Sequence, residues 1–214
     1  MSHNPAVAHH FEDLEQQKES ASLGMWAFLI TEVMFFGGLF TAYAIYRWKF
    51  PEAWNEGSHE LDIGLGALNT AILIGSSLTV VLAIHSAQSG KEKNIVRWLV
   101  ATIGLGLAFL GVKAIEYSHK FHVHHVPGPD FAREDFAHDG IELFFGLYFA
   151  MTGMHAVHMV IGIGLFLVLI WMALKKKFTP DNHVWLEMCG LYWHFVDIVW
   201  IFLFPLLYLL GRNS

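Results

Sequence analysis

From residue 141 to residue 174 the chain reads IELFFGLYFAMTGMHAVHMVIGIGLFLVLIWMAL, in which Glu142 is the only acidic residue and no lysine or arginine occurs. The hydrocarbon core of a bilayer is about 30 Å thick, and an α-helix of about 20 apolar residues crosses it. A helix is expected because lipid offers no partners to unpaired backbone groups. This stretch therefore predicts a transmembrane helix long enough to tilt or to extend beyond the bilayer.

Four further stretches are also long and apolar enough to cross a membrane. They cover residues 23–46, 63–84, 95–117 and 187–210. The sequence shows no internal repeat and no boundary between domains. We therefore predict an all-α polytopic membrane protein, with one bundle of five transmembrane helices over residues 23–214. An acidic tail of residues 1–22 precedes this bundle.

The composition excludes several other classes of protein. Hydrophobic residues make up 55% and charged residues 15% of the chain, and the mean hydropathy is +0.44. Soluble domains carry about 25% charged residues, so a water-soluble domain is excluded. The single cysteine, Cys189, excludes a disulfide scaffold. A net charge of −6 gives no basic surface for a nucleic acid.

The lysines and arginines of the loops predict how the bundle is oriented. Seven of them lie on the side of the N-terminus and five on the opposite side, with Lys113 inside the third span. The run 175–177 of three lysines directly follows a span, where the positive-inside rule is strongest. The N-terminus is therefore expected on the cytoplasmic side and the C-terminus outside.

A stripe of small residues along the second span predicts a helix-packing face. Lipid tails are as apolar as leucine, so helices associate in membranes where small side chains allow close approach. The partner could be another helix of this chain or a helix of another subunit. The stripe consists of Ala67, Ala71, Gly75, Thr79 and Ala83.

Ionisable side chains inside the spans are the candidate functional residues, because a charge at bilayer depth is expensive and needs a partner. Glu32 lies deep in the first span with no basic residue within a turn. It could handle protons or serve as a structural, hydrogen-bonded carboxyl. Lys113 and Glu116 are three residues apart near the end of the third span, so they should pair or snorkel to the interface.

The last two spans carry a further set of polar residues. His155 and His158 share one face of the fourth span, and His194 and Asp197 share one face of the fifth. This spacing predicts a buried polar network between these two helices. A proton path or a metal site would need the same residues, but interhelical hydrogen bonding is the interpretation we favour.

The longest predicted loop, residues 118–139, holds five of the fourteen histidines. Histidine is a common metal ligand, but no cysteine accompanies this cluster, and we expect no metal there. Four aromatic residues at span ends are expected to anchor the chain at the membrane interface. The clustered histidines are His119, His122, His124 and His125, and the aromatic residues are Tyr46, Trp48, Tyr117 and Tyr208.

Five short motifs carry a resemblance to a known family. The fifth span contains YWHFVDIVW over residues 192–200, the fourth TGMHAVH over 152–158, and the first TEVMFF over 31–36. LNT lies at 68–70 in the second span and KAIEY at 113–117 in the third. In this order and spacing the motifs resemble subunit III of cytochrome c oxidase, in the haem-copper oxidase superfamily.

The resemblance implies an accessory subunit that binds phospholipid and docks on subunit I of a complex that also contains subunit II. Haem and copper would lie in those two partner subunits, and this chain would bind neither. It would support a complex that reduces oxygen to water and pumps protons, and a respiratory supercomplex is a further candidate partner. Glu32 matches the family's carbodiimide-reactive glutamate, and the family's other polar positions match Glu116, His155, His158, His194 and Asp197.

The five-helix length implies a bacterial plasma membrane, since many relatives in this family have seven helices. The resemblance favours an aa3-type cytochrome c oxidase. Two alternatives stay open at this point: subunit III of a quinol oxidase, and a subunit-III-like protein of nitric oxide reductase.

Overall fold

A computed structural model describes residues 14–179 and 183–212 of the chain. These residues form six α-helices joined by turns and loops. A π-helix (Pro205–Leu209) and a 3₁₀ turn (Leu210–Arg212) continue the last helix, and another 3₁₀ turn covers Arg133–Asp135. The α-helices are α1 (Leu14–Lys49), α2 (Pro51–His59), α3 (Ile63–Gln88), α4 (Glu92–His122), α5 (Ile141–Leu174) and α6 (Val184–Phe204).

Five of these helices are long and apolar enough to cross a membrane, which confirms the predicted fold class. The bounds of α5 agree with the predicted span, whereas α1 begins nine residues before the predicted start. Residues 14–22 of the predicted tail therefore belong to α1, and residues 1–13 lie outside the described part of the chain.

The short helix α2 was not predicted, because its nine residues are too few and too polar for a span. Pro51 begins it, at the position where a missing N–H breaks no helical hydrogen bond. Ala53 and Trp54 are buried against the bundle. Together with the α4–α5 connection, α2 covers one end of the bundle, which we call the capped end.

Helix α6 is central to the bundle and contacts α1, α3 and α5. Its Trp193 is fully buried and donates a hydrogen bond to the Ser76 hydroxyl at 3.0 Å. The indole ring lies against two glycines of neighbouring helices. A Cβ added to Gly162 on α5 would lie 2.7 Å from the ring, and one on Gly106 of α4 would lie 3.0 Å away. Glycine at these positions leaves room for the Trp193 ring against α4 and α5.

Helix α1 is the least buried of the five long helices. Near the capped end it holds the π-helix that follows α6. The Tyr43 hydroxyl donates to the Leu206 carbonyl, and Arg47 donates to the Leu210 carbonyl at 2.7 Å. Pro205 begins this π-helix, where the regular α-helical pattern ends. These bonds satisfy carbonyls that a distorted helix end leaves free.

Candidate functional site

A cluster of four polar side chains lies inside the bundle. Lys113 and Glu116 on α4 form an ion pair with 3.0 Å between Nζ and Oε2, and the two residues are 4% and 5% exposed. Tyr148 on α5 and Tyr208 of the π-helix donate their hydroxyls to the same Glu116 oxygen, at 2.9 and 2.6 Å. The structure thus confirms pairing for Lys113 and Glu116.

The surroundings of the cluster stabilise its charges. Lys113 Nζ also reaches the two tyrosine oxygens at 3.1 and 2.9 Å. It lies 4.9 Å from the Tyr148 ring centroid and 5.2 Å from that of Trp200, close enough for cation–π attraction. A buried ion pair is stable only when its remaining donors and acceptors are paired in this way. The cluster therefore joins α4, α5 and the C-terminal segment.

The prediction of Tyr208 as an interface anchor is wrong. Its side chain is fully buried because the π-helix turns it towards Glu116. Tyr117, another predicted anchor, is half-buried and shares a hydrogen bond with the Thr152 hydroxyl at 2.5 Å. Tyr148 was missed, although a tyrosine well inside an apolar span is itself a signal of a buried polar partner.

The carboxyl group of Glu32 on α1 lies 3.0 Å from His158 Nε2 on α5. The other ring nitrogen, Nδ1, lies 2.9 Å from the Met154 carbonyl and must therefore carry a hydrogen. The Nε2 atom is then the one that faces the Glu32 carboxyl. His158 therefore gives Glu32 a polar partner inside the bundle, where its own helix has no lysine or arginine within a turn.

The four residues expected to form a network between α5 and α6 make no hydrogen bond to one another in the described part of the chain. His158 turns to α1, and His194 Nδ1 lies 2.7 Å from the Ser77 hydroxyl of α3. His155 is enclosed by the rings of Phe109 and Trp200. The helical spacing placed each pair of residues on one face of its helix, but it did not indicate which neighbouring helix that face contacts.

Two of these side chains have buried polar atoms without a hydrogen-bond partner among the described residues. They are both ring nitrogens of His155 and both carboxyl oxygens of Asp197. The rings of Phe109 and Trp200 enclose the imidazole of His155, and its two unpaired nitrogens cost free energy. The burial of Asp197 is more costly, because a buried carboxyl needs donors.

The two halves of the small-residue stripe on α3 have different surroundings. Thr79 shares a hydrogen bond with Thr102 of α4 at 2.7 Å, and a Cβ on Gly75 would lie 3.8 Å from Leu105 of α4. Ala83 is buried, whereas Ala67 and Ala71 are exposed. One half of the stripe therefore faces α4, and the other half is open to a partner outside this chain.

At the capped end, Glu56 of α2 holds the loop before α5. Its carboxylate accepts hydrogen bonds from the Ala137 and His138 amides at 2.8 and 3.2 Å and lies 3.0 Å from the His138 ring nitrogen Nδ1. Burial acts to raise the pKa of Glu56, but these hydrogen bonds outweigh it, so the pKa is lowered. Glu52 reaches the other His138 nitrogen at 3.3 Å.

The histidine segment has one buried member. His125 packs against the rings of Phe136 and Phe145 and lies 3.5 Å from the Asp135 carboxylate. Burial and the charge of Lys120 lower the pKa of His125, although nearby carboxylates oppose this. His119, His122 and His124 are exposed. Within residues 14–179 and 183–212, no three histidine, cysteine, aspartate or glutamate side chains converge as metal ligands would.

Comparison with known proteins gives consistent matches over most of the chain. The family model described as cytochrome c oxidase subunit III matches residues 8–212. Cytochrome c oxidase subunit 3 of Corynebacterium diphtheriae is 36% identical over 87% of this chain and 86% of its own length. Quinol oxidase subunit 3 of Bacillus spizizenii is 31% identical over 94% of both chains. Cytochrome c oxidase subunit 3 of the horse is 34% identical over 88% of this chain, but over only 69% of its own length.

Proposed function

Because the chain belongs to the cytochrome c oxidase subunit III family, we propose that it is the accessory third subunit of a bacterial aa3-type cytochrome c oxidase. In this role it would dock on subunit I, in a complex that also contains subunit II, in the plasma membrane with its N-terminus on the cytoplasmic side. The complex would reduce oxygen to water and pump protons. The chain would stabilise subunit I and sustain proton uptake during turnover.

The observation that carries this proposal is the match over residues 8–212 to subunit III, which includes all five long helices. The contacts that the intramembrane residues make favour a structural role for this chain rather than a catalytic one. Glu32, Glu116 and His158 bind side chains of this same chain, so they would hold the helices in place. We propose that haem and copper reside in subunits I and II, and that this chain binds phospholipid.

The electron donor distinguishes this proposal from a second candidate, subunit III of a quinol oxidase. The quinol oxidase relative from Bacillus spizizenii covers 94% of this chain, which favours that candidate. The higher identity of the Corynebacterium diphtheriae protein, 36% against 31%, favours a cytochrome c oxidase. The donor site would lie on other chains, and a copper-binding pair of cysteines in subunit II would mark the cytochrome type, so that subunit must be identified.

The test is purification through a tag on this chain in a mild detergent. The visible spectrum, reduced minus oxidised, and the masses of the co-purifying chains are then recorded. We expect haem a absorbance, subunit I, and a subunit II whose soluble domain carries copper-binding cysteines. A subunit II without these cysteines would assign the chain to a quinol oxidase. A chain that purifies without any haem-containing partner would contradict both candidates.

Oxygen consumption tests the supporting role. Membranes that lack this chain should reduce oxygen at first and then lose activity faster during turnover than membranes that contain it. Restoring the wild-type chain is the control. An unchanged course of activity in its absence would contradict a stabilising role.

A further inference from the structure

A groove of about 410 Å³ opens between α3 and α6 on the outer surface of the bundle. It lies near the midpoint of both helices, and its apolar rim is exposed: Ile74, Ile198 and Ile201 are 57%, 50% and 46% exposed. Three polar residues line it together with this rim: Ser77, His194 and Asp197.

Asp197 is the unusual member of this groove. The residue is only 4% exposed, and both of its carboxyl oxygens lack a hydrogen-bond partner among the described residues. The Ser77 hydroxyl lies close to Asp197 and 2.7 Å from His194 Nδ1, and its single hydrogen can pair with at most one of these neighbours. No water is available in the hydrocarbon core to pair with a buried carboxyl. The groove thus presents at least one carboxyl oxygen that needs a donor from outside the described residues.

The depth of the groove restricts what that donor can be. Lipid headgroups lie at the bilayer surface, about half of the 30 Å hydrocarbon thickness away from the middle. A side chain on a transmembrane helix reaches the midplane readily. The exposed face of α3 beside the groove also suits a helix, because Ala67 and Ala71 precede Ile74 by seven and three residues on the same face. Small residues there allow close approach of another backbone.

We propose that a transmembrane helix of another oxidase subunit lies in this groove and that a hydroxyl or amide side chain of that helix donates a hydrogen bond to Asp197. The inference rests on the proposed function, since it names the surface by which the accessory subunit docks. The helix would cover the exposed rim of Ile74, Ile198 and Ile201. It would also cover the open half of the small-residue stripe.

Photo-crosslinking in the intact oxidase tests this contact. The substitution Ile198→p-benzoylphenylalanine places a photoreactive side chain at the rim of the groove. Val157→p-benzoylphenylalanine is the matched control, because Val157 is 51% exposed near the middle of α5, which does not line the groove. We expect a covalent product between this chain and another oxidase subunit from position 198, and only lipid adducts from position 157.

Any of three other results would overturn the inference. Position 198 could give only lipid or quinone adducts, or a product with a second copy of this chain, or the two positions could give the same subunit product. If the tagged chain purifies with a haem-containing oxidase and position 198 gives one of these results, the docking inference fails while the proposed function stands. If no haem-containing subunit purifies with the chain, the proposed function itself fails.

Variants of Asp197 test the hydrogen bond. Asp197→Leu removes both acceptors, whereas Asp197→Asn keeps one acceptor oxygen. We expect Asp197→Leu to increase the loss of this chain from the purified oxidase during a detergent wash by roughly tenfold, with a smaller loss for Asp197→Asn. Equal retention of wild type and both variants would overturn the hydrogen bond. Should Asp197→Leu fail to accumulate in the membrane, the comparison of wild type with Asp197→Asn and the crosslink at position 198 decide.

Discussion

The carboxyl group of Glu32 on α1 and the imidazole Nε2 of His158 on α5 lie 3.0 Å apart. Helix α1 buries less of its surface than the other long helices, and this contact adds a polar attachment to the packing of its buried Phe36. Tyr43 and Arg47 make further polar attachments of α1 close to the capped end. The Glu32 pair therefore fixes the middle of the helix.

Glu32→Ala should loosen the middle of α1, because His158 then loses its partner inside the membrane. The expected local destabilisation is about 1–2 kcal/mol, with a smaller effect for Glu32→Gln, which keeps an acceptor oxygen. Hydrogen–deuterium exchange of peptides covering residues 28–38 in the purified oxidase measures it. Thr31→Ala is the control, since Thr31 is exposed and bonds only to the Phe28 carbonyl in its own helix. Equal exchange in Glu32→Ala and wild type would contradict this role of the pair.

The five spans could be predicted from the sequence because lipid imposes a simple rule on length and hydropathy. The pairing of Lys113 with Glu116 could also be predicted, since both residues lie on one helix. The partner of Glu32 could not, because it lies 126 residues away and depends on how α1 packs against α5. The position of Tyr208 depends on the π-helix after Pro205, which hydropathy does not reveal.

The Lys113 cluster gives a prediction about buried charge. Lys113→Met leaves the Glu116 carboxylate without its cation and should destabilise the chain by about 3 kcal/mol. Lys113→Met combined with Glu116→Gln removes both charges and should restore much of the loss. The thermal unfolding midpoint of the detergent-solubilised complex tests whether the double variant is more stable than Lys113→Met. A double variant less stable than Lys113→Met alone would show that the ion pair is not the main source of stability.

The contact of Glu56 with the loop before α5 should depend on pH. The pKa of Glu56 in the folded chain lies below its ordinary value of 4.5, so the folded state favours the ionised carboxylate. Its stabilising contribution is therefore present above about pH 4.5 and is lost as the pH falls through the lowered pKa. Exchange protection of the Ala137 and His138 amides should fall in that range. Glu56→Gln should show weaker protection at neutral pH and little further change in acid. If the exchange protection of these two amides in the wild type does not change between pH 6 and pH 3, the prediction that the Glu56 contact depends on pH is wrong.

Two glycines of α5 that are close in sequence make it possible to distinguish the effect of close packing on stability from the effect of helix propensity. A Cβ on Gly162 would lie 2.7 Å from the Trp193 ring, whereas one on Gly164 would meet nothing within 4 Å. Gly162→Ala should therefore push α5 away from α6 and destabilise the chain by about 1–3 kcal/mol, the usual range for overpacking. Gly164→Ala should be neutral or slightly stabilising, because alanine favours a helix more than glycine does. The thermal midpoint and the tryptophan fluorescence of the two variants measure the difference. Similar midpoints for both variants would mean that the Trp193 ring can shift without loss, and that the close approach of α5 to α6 does not require glycine at position 162.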